Sequence, residues 1–129
     1  MLKVGNISDF IELEPGYDEI LAELFTEGLS DIQAQGEGTV IALLSDDLQG
    51  ARHQRFIIEL DSGQTLLIAN NIDLAPRIDT LSLGDRIGFY GEYEWNEQGG
   101  VIHWTHYDPA GNHEDGWILH DDIIYQSLN

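Results

Sequence analysis

The sequence predicts a mainly β protein, a small barrel of five to six antiparallel strands with one N-terminal amphipathic helix. Apolar residues at helical spacing are confined to the segment ending near Gln33. Short alternating runs bounded by turn residues fill the chain from Gly36 onward, and two glycines interrupt the longest of them. The change of period divides the chain into a helical segment, residues 1–35, packed on a barrel domain, residues 36–129.

From Tyr17 to about Gln33, Ile20, Leu21, Leu24, Phe25, Leu29 and Ile32 form an apolar stripe, with Glu19, Glu23, Glu27 and Asp31 on the other side. Pro15-Gly16 breaks the chain before this helix, and Asp18 and Glu19 suit its positive end. Gly28 weakens its second half. The first expected strand is Gly38 to Leu44, ended by Ser45-Asp46-Asp47 and Gly50. The second, His53 to Leu60, sets Gln54, Phe56, Ile58 and Leu60 on one face and His53, Arg55, Ile57 and Glu59 on the other. Asp61-Ser62-Gly63 turns the chain into Thr65 to Ala69, making a hairpin. A connector from Asn71 to Asp85, stiffened by Pro76, leads to the longest strand, Arg86 to Trp95. Its Gly88 and Gly91 permit the bending that a barrel strand needs. Asn96 to Gly100 is a hairpin loop, Val101 to Thr105 returns, and a short pairing of Trp117-Ile118-Leu119 with Ile123-Ile124-Tyr125 ends the chain. Short strands in this order hide their edges best by closing, and a five-stranded OB-like barrel fits them.

The 129 residues suit one domain, long enough to bury about two-thirds of its unfolded surface. There is no cysteine, which excludes disulfides, thiolate metal sites and a cysteine nucleophile. No stretch approaches the roughly 20 apolar residues of a spanning helix. The opening MLKVGNISDFIELEPG has no basic start followed by an apolar run, so the cytoplasm is the expected location. Five Lys+Arg against 24 Asp+Glu give a net charge of −19. That field repels phosphate backbones and anionic membranes, so general nucleic-acid or membrane binding is not expected. The acidity serves solubility, or it fits a basic protein partner as a nucleic-acid mimic would.

All five histidines, His53, His103, His106, His113 and His120, lie in the β region, four of them within the 18 residues from His103 to His120. Taken singly, each is expected to be satisfied by hydrogen bonds. As a group with nearby carboxylates they suit a divalent transition metal, zinc first, and the candidate ligands are His103, His106, Asp108 and His113. His103 and His106 fall on opposite faces of a flat strand, so they converge only if the strand ends or bulges near Thr105. A second constellation, His53, Arg55, Asp73 and Arg77, is the candidate site for a small anion, because guanidinium offers a forked pair of donors. His103 joins it if the His53 hairpin faces the fifth strand. No glycine-rich phosphate loop is present, and Ser45, Ser62 and Ser82 lack a nucleophile-elbow context. Trp95, Trp104, Trp117, Tyr90 and Tyr93 have the chemistry to stack on bases, but with this charge they are expected to pack the core and hairpins.

The stretches GTVIALLSDD, RHQRFI, SGQTLLIANNIDLAPRI, GEYEWNEQGGVIHWTHYDP and GWILH together resemble a bacterial family recorded as domain of unknown function 3465. The resemblance covers about 90 of the 129 residues, from Gly36 to Tyr125. It departs at Asn70 and Tyr107, where the family pattern carries histidine. It implies no activity and marks His53, Arg55, His103, His106 and Asp108 as candidates. The leading expectation is an acidic OB-like domain that binds a metal or small anionic ligand through a His/Arg/Asp site. The alternatives are a metal-dependent phosphodiester hydrolase and an acidic protein-interaction module.

Overall fold

A computed structural model describes residues 16–128. Helix α1 (Tyr17–Glu27) starts at Gly16, whose N–H donates to Glu19 Oε1 at 3.3 Å. It stops at Gly28, which takes the left-handed conformation (φ 69°) that glycine reaches without steric cost. The helix therefore ends short of the expected Gln33. Leu29 is exposed, and Ile32 and Gln33 already belong to a strand.

The strands are β1 (Ile32–Leu43), β2 (His53–Glu59), β3 (Thr65–Asn71), β4 (Arg86–Glu94), β5 (Val101–His103), β6 (Trp117–His120) and β7 (Ile123–Tyr125). β1 begins well before the expected Gly38 because its glycines are points of close approach and not breaks. A Cβ on Gly36 would lie 2.9 Å from Phe89 Cζ, and one on Gly38 would lie 2.7 Å from the Glu59 carbonyl oxygen. β5 is shorter than expected. Trp104 adopts φ 57° and ends the strand at His103.

β1 is shared between two partners. Its first part pairs with β4, from Ile32↔Tyr93 to Thr39↔Arg86. Its last part pairs with β2, from Thr39↔Glu59 to Leu43↔Phe56, with a register shift between Val40 and Ala42. The sheet order β1-β2-β3-β5-β4 closes through the β1–β4 pairing into a five-stranded barrel. β3 and β5 run parallel and the other neighbours antiparallel, the Greek-key order of an OB barrel. β6 and β7 form a hairpin that continues the sheet beyond β4.

Alternation along the strands fills the barrel. Phe56, Ile58, Leu66, Ile68, Ile87, Phe89, Tyr93, Ile102 and Ile118 are fully buried, and Leu21 and Leu24 of α1 join the same core. Three side chains fix the helix to the barrel, Asp18 Oδ2 accepting the Ser62 N–H at 3.2 Å and two others reaching from the barrel side. Gln64 Nε2 donates to the Leu21 carbonyl at 3.2 Å, and Trp95 Nε1 donates to the Phe25 carbonyl at 3.0 Å.

Gln54 is the inward polar residue of β2 and ties the connector to the barrel. Its Nε2 donates to the Ile78 carbonyl at 2.9 Å, and its Oε1 accepts from the Ile78 N–H at 2.9 Å and from Asn70 Nδ2 at 3.2 Å. Gln54→Ala should lower unfolding free energy by about 1–3 kcal/mol, since it strands both backbone groups of Ile78. Urea unfolding checks this. Gln54→Leu fills the space without bonding and should lose most of the same amount.

The same alternation sends a row of side chains outward across four strands. Arg55 on β2 pairs with Ala69 on β3. Leu67↔Val101 and Ile68↔Ile102, continued one step, set Ala69 beside His103. His103 in turn pairs with Glu92 on β4.

Candidate metal centre

Glu92 and Glu94 flank Tyr93, which is buried in the barrel, so both carboxylates share the outer face of β4. His103 faces them across the β4–β5 pairing. Its Nε2 lies 3.2 Å from Glu92 Oε2 and 3.3 Å from Glu94 Oε2. One ligand atom from each of the three residues lies within 4.8 Å of the others. With bonds of about 2.0–2.2 Å, the corners of a tetrahedron stand roughly 3.3–3.6 Å apart, so the two histidine–carboxylate spacings suit one cation.

Two further side chains complete the surroundings. His113 Nε2 lies 2.7 Å from Glu92 Oε1, and its Nδ1 lies 2.8 Å from the Glu114 carbonyl oxygen. Both ring nitrogens face acceptors, which favours the imidazolium. Burial opposes that charge, but Glu92 and the Glu114 carbonyl outweigh it and hold the His113 pKa above the usual imidazole value. The ring stacks on Trp104 at 3.9 Å. Burial also works against the charge on Glu92, but His113, Glu94 and His103 hold its carboxyl below the ordinary range. Asp31 stands in a left-handed conformation (φ 62°) just before β1. Its hydrogen bond to Glu94, and then that carboxylate's charge, hold its carboxyl above the ordinary range.

A raised histidine pKa has a definite sign. The His113–Glu92 contact contributes stability that is fully present below the unfolded imidazole value and is lost as pH rises through the raised folded value. In metal-free protein, the His113 ring should titrate above 6.5, the ordinary value. In Glu92→Gln its midpoint should fall, as followed by NMR of the ring protons.

The residues singled out from the sequence take several positions. His103 lies in the centre and His113 touches it through Glu92. His106 is 3% exposed, with its Nδ1 2.8 Å from the Tyr107 carbonyl oxygen. Burial lowers its pKa and so favours the neutral ring. It stands outside the Glu92–Glu94–His103 group and lines, with His53 and His103, an adjoining cavity of about 250 Å³. Asp108 accepts backbone N–H groups from Ala110 at 3.0 Å and from Asn112 and His113 at 2.8 Å each. Those donors hold its carboxyl below the ordinary range, and the loop they form carries His113 to Glu92.

His53 and Arg55 line, with His103 and Glu94, a groove of about 320 Å³, so the His53 hairpin does share a recess with the fifth strand. Asp73 and Arg77 do not line it. Asp73 pairs with Arg52 at 2.7 Å, and Arg77 pairs with Asp46 at 2.8 Å and Asp79 at 3.0 Å. Sequence reasoning missed Glu92, Glu94 and Asp31. The signal for the first two was present, because acids two apart in GEYEW share a strand face opposite the returning VIH.

A family model described as "Protein of unknown function (DUF3465)" matches residues 7–126. The chain belongs to the DUF3465 family. Comparison with curated proteins gave no match. In this DUF3465 protein the matched span contains Glu92, Glu94, His103 and His113, together with the groove beside them. No helix among the described residues is long and apolar enough to cross a membrane.

Proposed function

We propose that this DUF3465 protein binds one divalent transition metal on the outer face of its barrel, through Glu92, Glu94 and His103. The observation that carries the reading is the convergence of those three side chains from two paired strands. Rigid strands hold ligands more reproducibly than loops do. Zinc is the expected ion, because histidine and carboxylate donors with a position left open are the pattern of reactive zinc sites. The histidine and two carboxylates bring two negative charges to a dication, with the Asp31 carboxyl beside them. The net charge of −19 supports the same reading, since it concentrates cations at the surface.

Calorimetric titration of zinc, manganese and nickel into chelator-treated, tag-free protein tests it, together with elemental analysis of the protein as purified. One stoichiometric binding event is expected. At a free metal concentration of 100 times Kd, binding should stabilise the fold by about 2.7 kcal/mol. Absence of heat and of melting shift with all three metals would end the proposal.

A further inference from the structure

We infer that the metal centre serves a small oxyanion, inorganic phosphate or a phosphoryl group, that bridges the metal and Arg55. This rests on the proposed metal centre. Three features of the groove beside it carry the inference further.

The first is the state of Arg55. The protein has 24 acidic residues and five basic ones, and Arg52, Arg77 and Arg86 are each held by carboxylates. Among the described residues, Arg55 is the arginine in no ion pair. Its Nε and Nη2 donate to one neutral acceptor, the Ser45 carbonyl, at 3.1 and 2.9 Å. Nη1 is left for another acceptor. Asp47 lines the same groove, but its Oδ1 accepts the Gln49 backbone N–H at 3.0 Å. A half-buried guanidinium held by a carbonyl keeps its charge for a ligand.

The second is the spacing. Arg55, Ala69 and His103 stand side by side on β2, β3 and β5. Strands about 4.8 Å apart put roughly 10 Å between the backbones of Arg55 and His103. Ala69 between them is too short to fill that span, and Val101 completes an apolar floor. A group entering the groove meets His103 and Glu94, two of the three proposed metal ligands, on one flank and Arg55 on the other. A tetrahedral phosphate offers more acceptor oxygens and a greater negative charge than a planar carboxylate, and so is better able to engage both flanks at once.

The third is charge. Without metal, Glu94 and Asp47 line the groove and repel an anion. With metal bound, the ion offsets the two carboxylate charges of Glu92 and Glu94 on the His103 flank and gives an anion a positive centre to meet. Binding is therefore ordered, metal first, and each ligand strengthens the other by the same factor.

The test is calorimetric titration of inorganic phosphate into metal-free protein and into manganese-loaded protein, with acetate as the carboxylate arm. Phosphate should bind the loaded protein alone, more tightly than acetate, and should tighten manganese binding by the same factor. Arg55→Gln should weaken phosphate by about 10–100-fold, the loss expected for a hydrogen bond to a charged group, with manganese binding unchanged. Ala69→Leu, which fills the groove and leaves Arg55 in place, should abolish phosphate binding in the same way. Manganese binding without phosphate binding would overturn the inference and leave the metal centre standing. Phosphate binding that ignores metal, Arg55 or Ala69, or acetate binding as tight as phosphate, would overturn it too. Failure of zinc, manganese and nickel alike in the first titration would remove the metal centre itself, and this inference with it; if manganese alone fails, the same phosphate arms are run on the zinc-loaded protein.

Discussion

Phe89→Ala is expected to lower the free energy of unfolding by about 3–5 kcal/mol, with the urea m-value unchanged. Phe89 is fully buried on β4 and faces Gly36 on β1. A Cβ placed on Gly36 would meet the Phe89 ring at 2.9 Å and Leu21 Cδ1 at 3.1 Å, so ring, bare backbone and helix side chain meet at one point. Truncation leaves a space that Gly36 has no atoms to fill. Leu21 cannot move in freely, because Gln64 and Trp95 fix the helix backbone. A double-mutant cycle isolates the contact. Gly36→Ala should destabilise the parent and cost clearly less, or nothing, in the Phe89→Ala background. Equal costs in both backgrounds would mean that the ring and the glycine are not partners.

The second large effect is expected at the metal centre, where one of the ligand substitutions should move affinity and stability in opposite directions. His103→Ala and Glu92→Gln should each weaken metal binding by more than about 100-fold, beyond the loss typical of a residue that merely orients a ligand. Glu94→Gln should lose metal as well, but its metal-free form should melt at or above the temperature of the parent. The reason is Asp31, whose carboxyl is raised first by its hydrogen bond to Glu94 and then by that carboxylate's charge. A carboxyl raised in the folded state destabilises the fold at neutral pH. The penalty grows as pH rises through the folded value and is absent below the ordinary value of 3.8. Metal-free parent protein should therefore gain stability from this group on mild acidification, and Glu94→Gln should gain less. Thermal melts with and without metal, at neutral and mildly acidic pH, read both effects.

Much of the barrel could be read from the chain where a strand is half-buried. The alternation of Gln54, Phe56, Ile58 and Leu60 against His53, Arg55, Ile57 and Glu59 matches the burial of β2 because one face of each strand packs the core. The misread boundaries have local causes. Leu29 and Ile32 continue the helical spacing by coincidence, and Gly28 overrides it by closing the helix. Gly36 and Gly38 resemble turn residues in the sequence, but their lack of a side chain serves close contacts within β1.

The candidate site was legible in its residue types and less so in its grouping. His103 was singled out, but its neighbours are set by the β4–β5 register, which places Glu92 opposite it. Spacing along the chain suggested His106 and Asp108. The left-handed turn at Trp104 ends the strand between His103 and His106, and three backbone N–H groups claim the Asp108 carboxylate. Asp31, placed by periodicity on the outer face of a helix, reaches the centre because that helix ends early.

The most direct measurement is diffraction from crystals grown with zinc, collected on both sides of the zinc absorption edge. An anomalous peak is expected about 2.0–2.2 Å from Glu92, Glu94 and His103 ligand atoms. A peak held by His53 and His106 in the neighbouring cavity, or no peak on this face of the barrel, would contradict it.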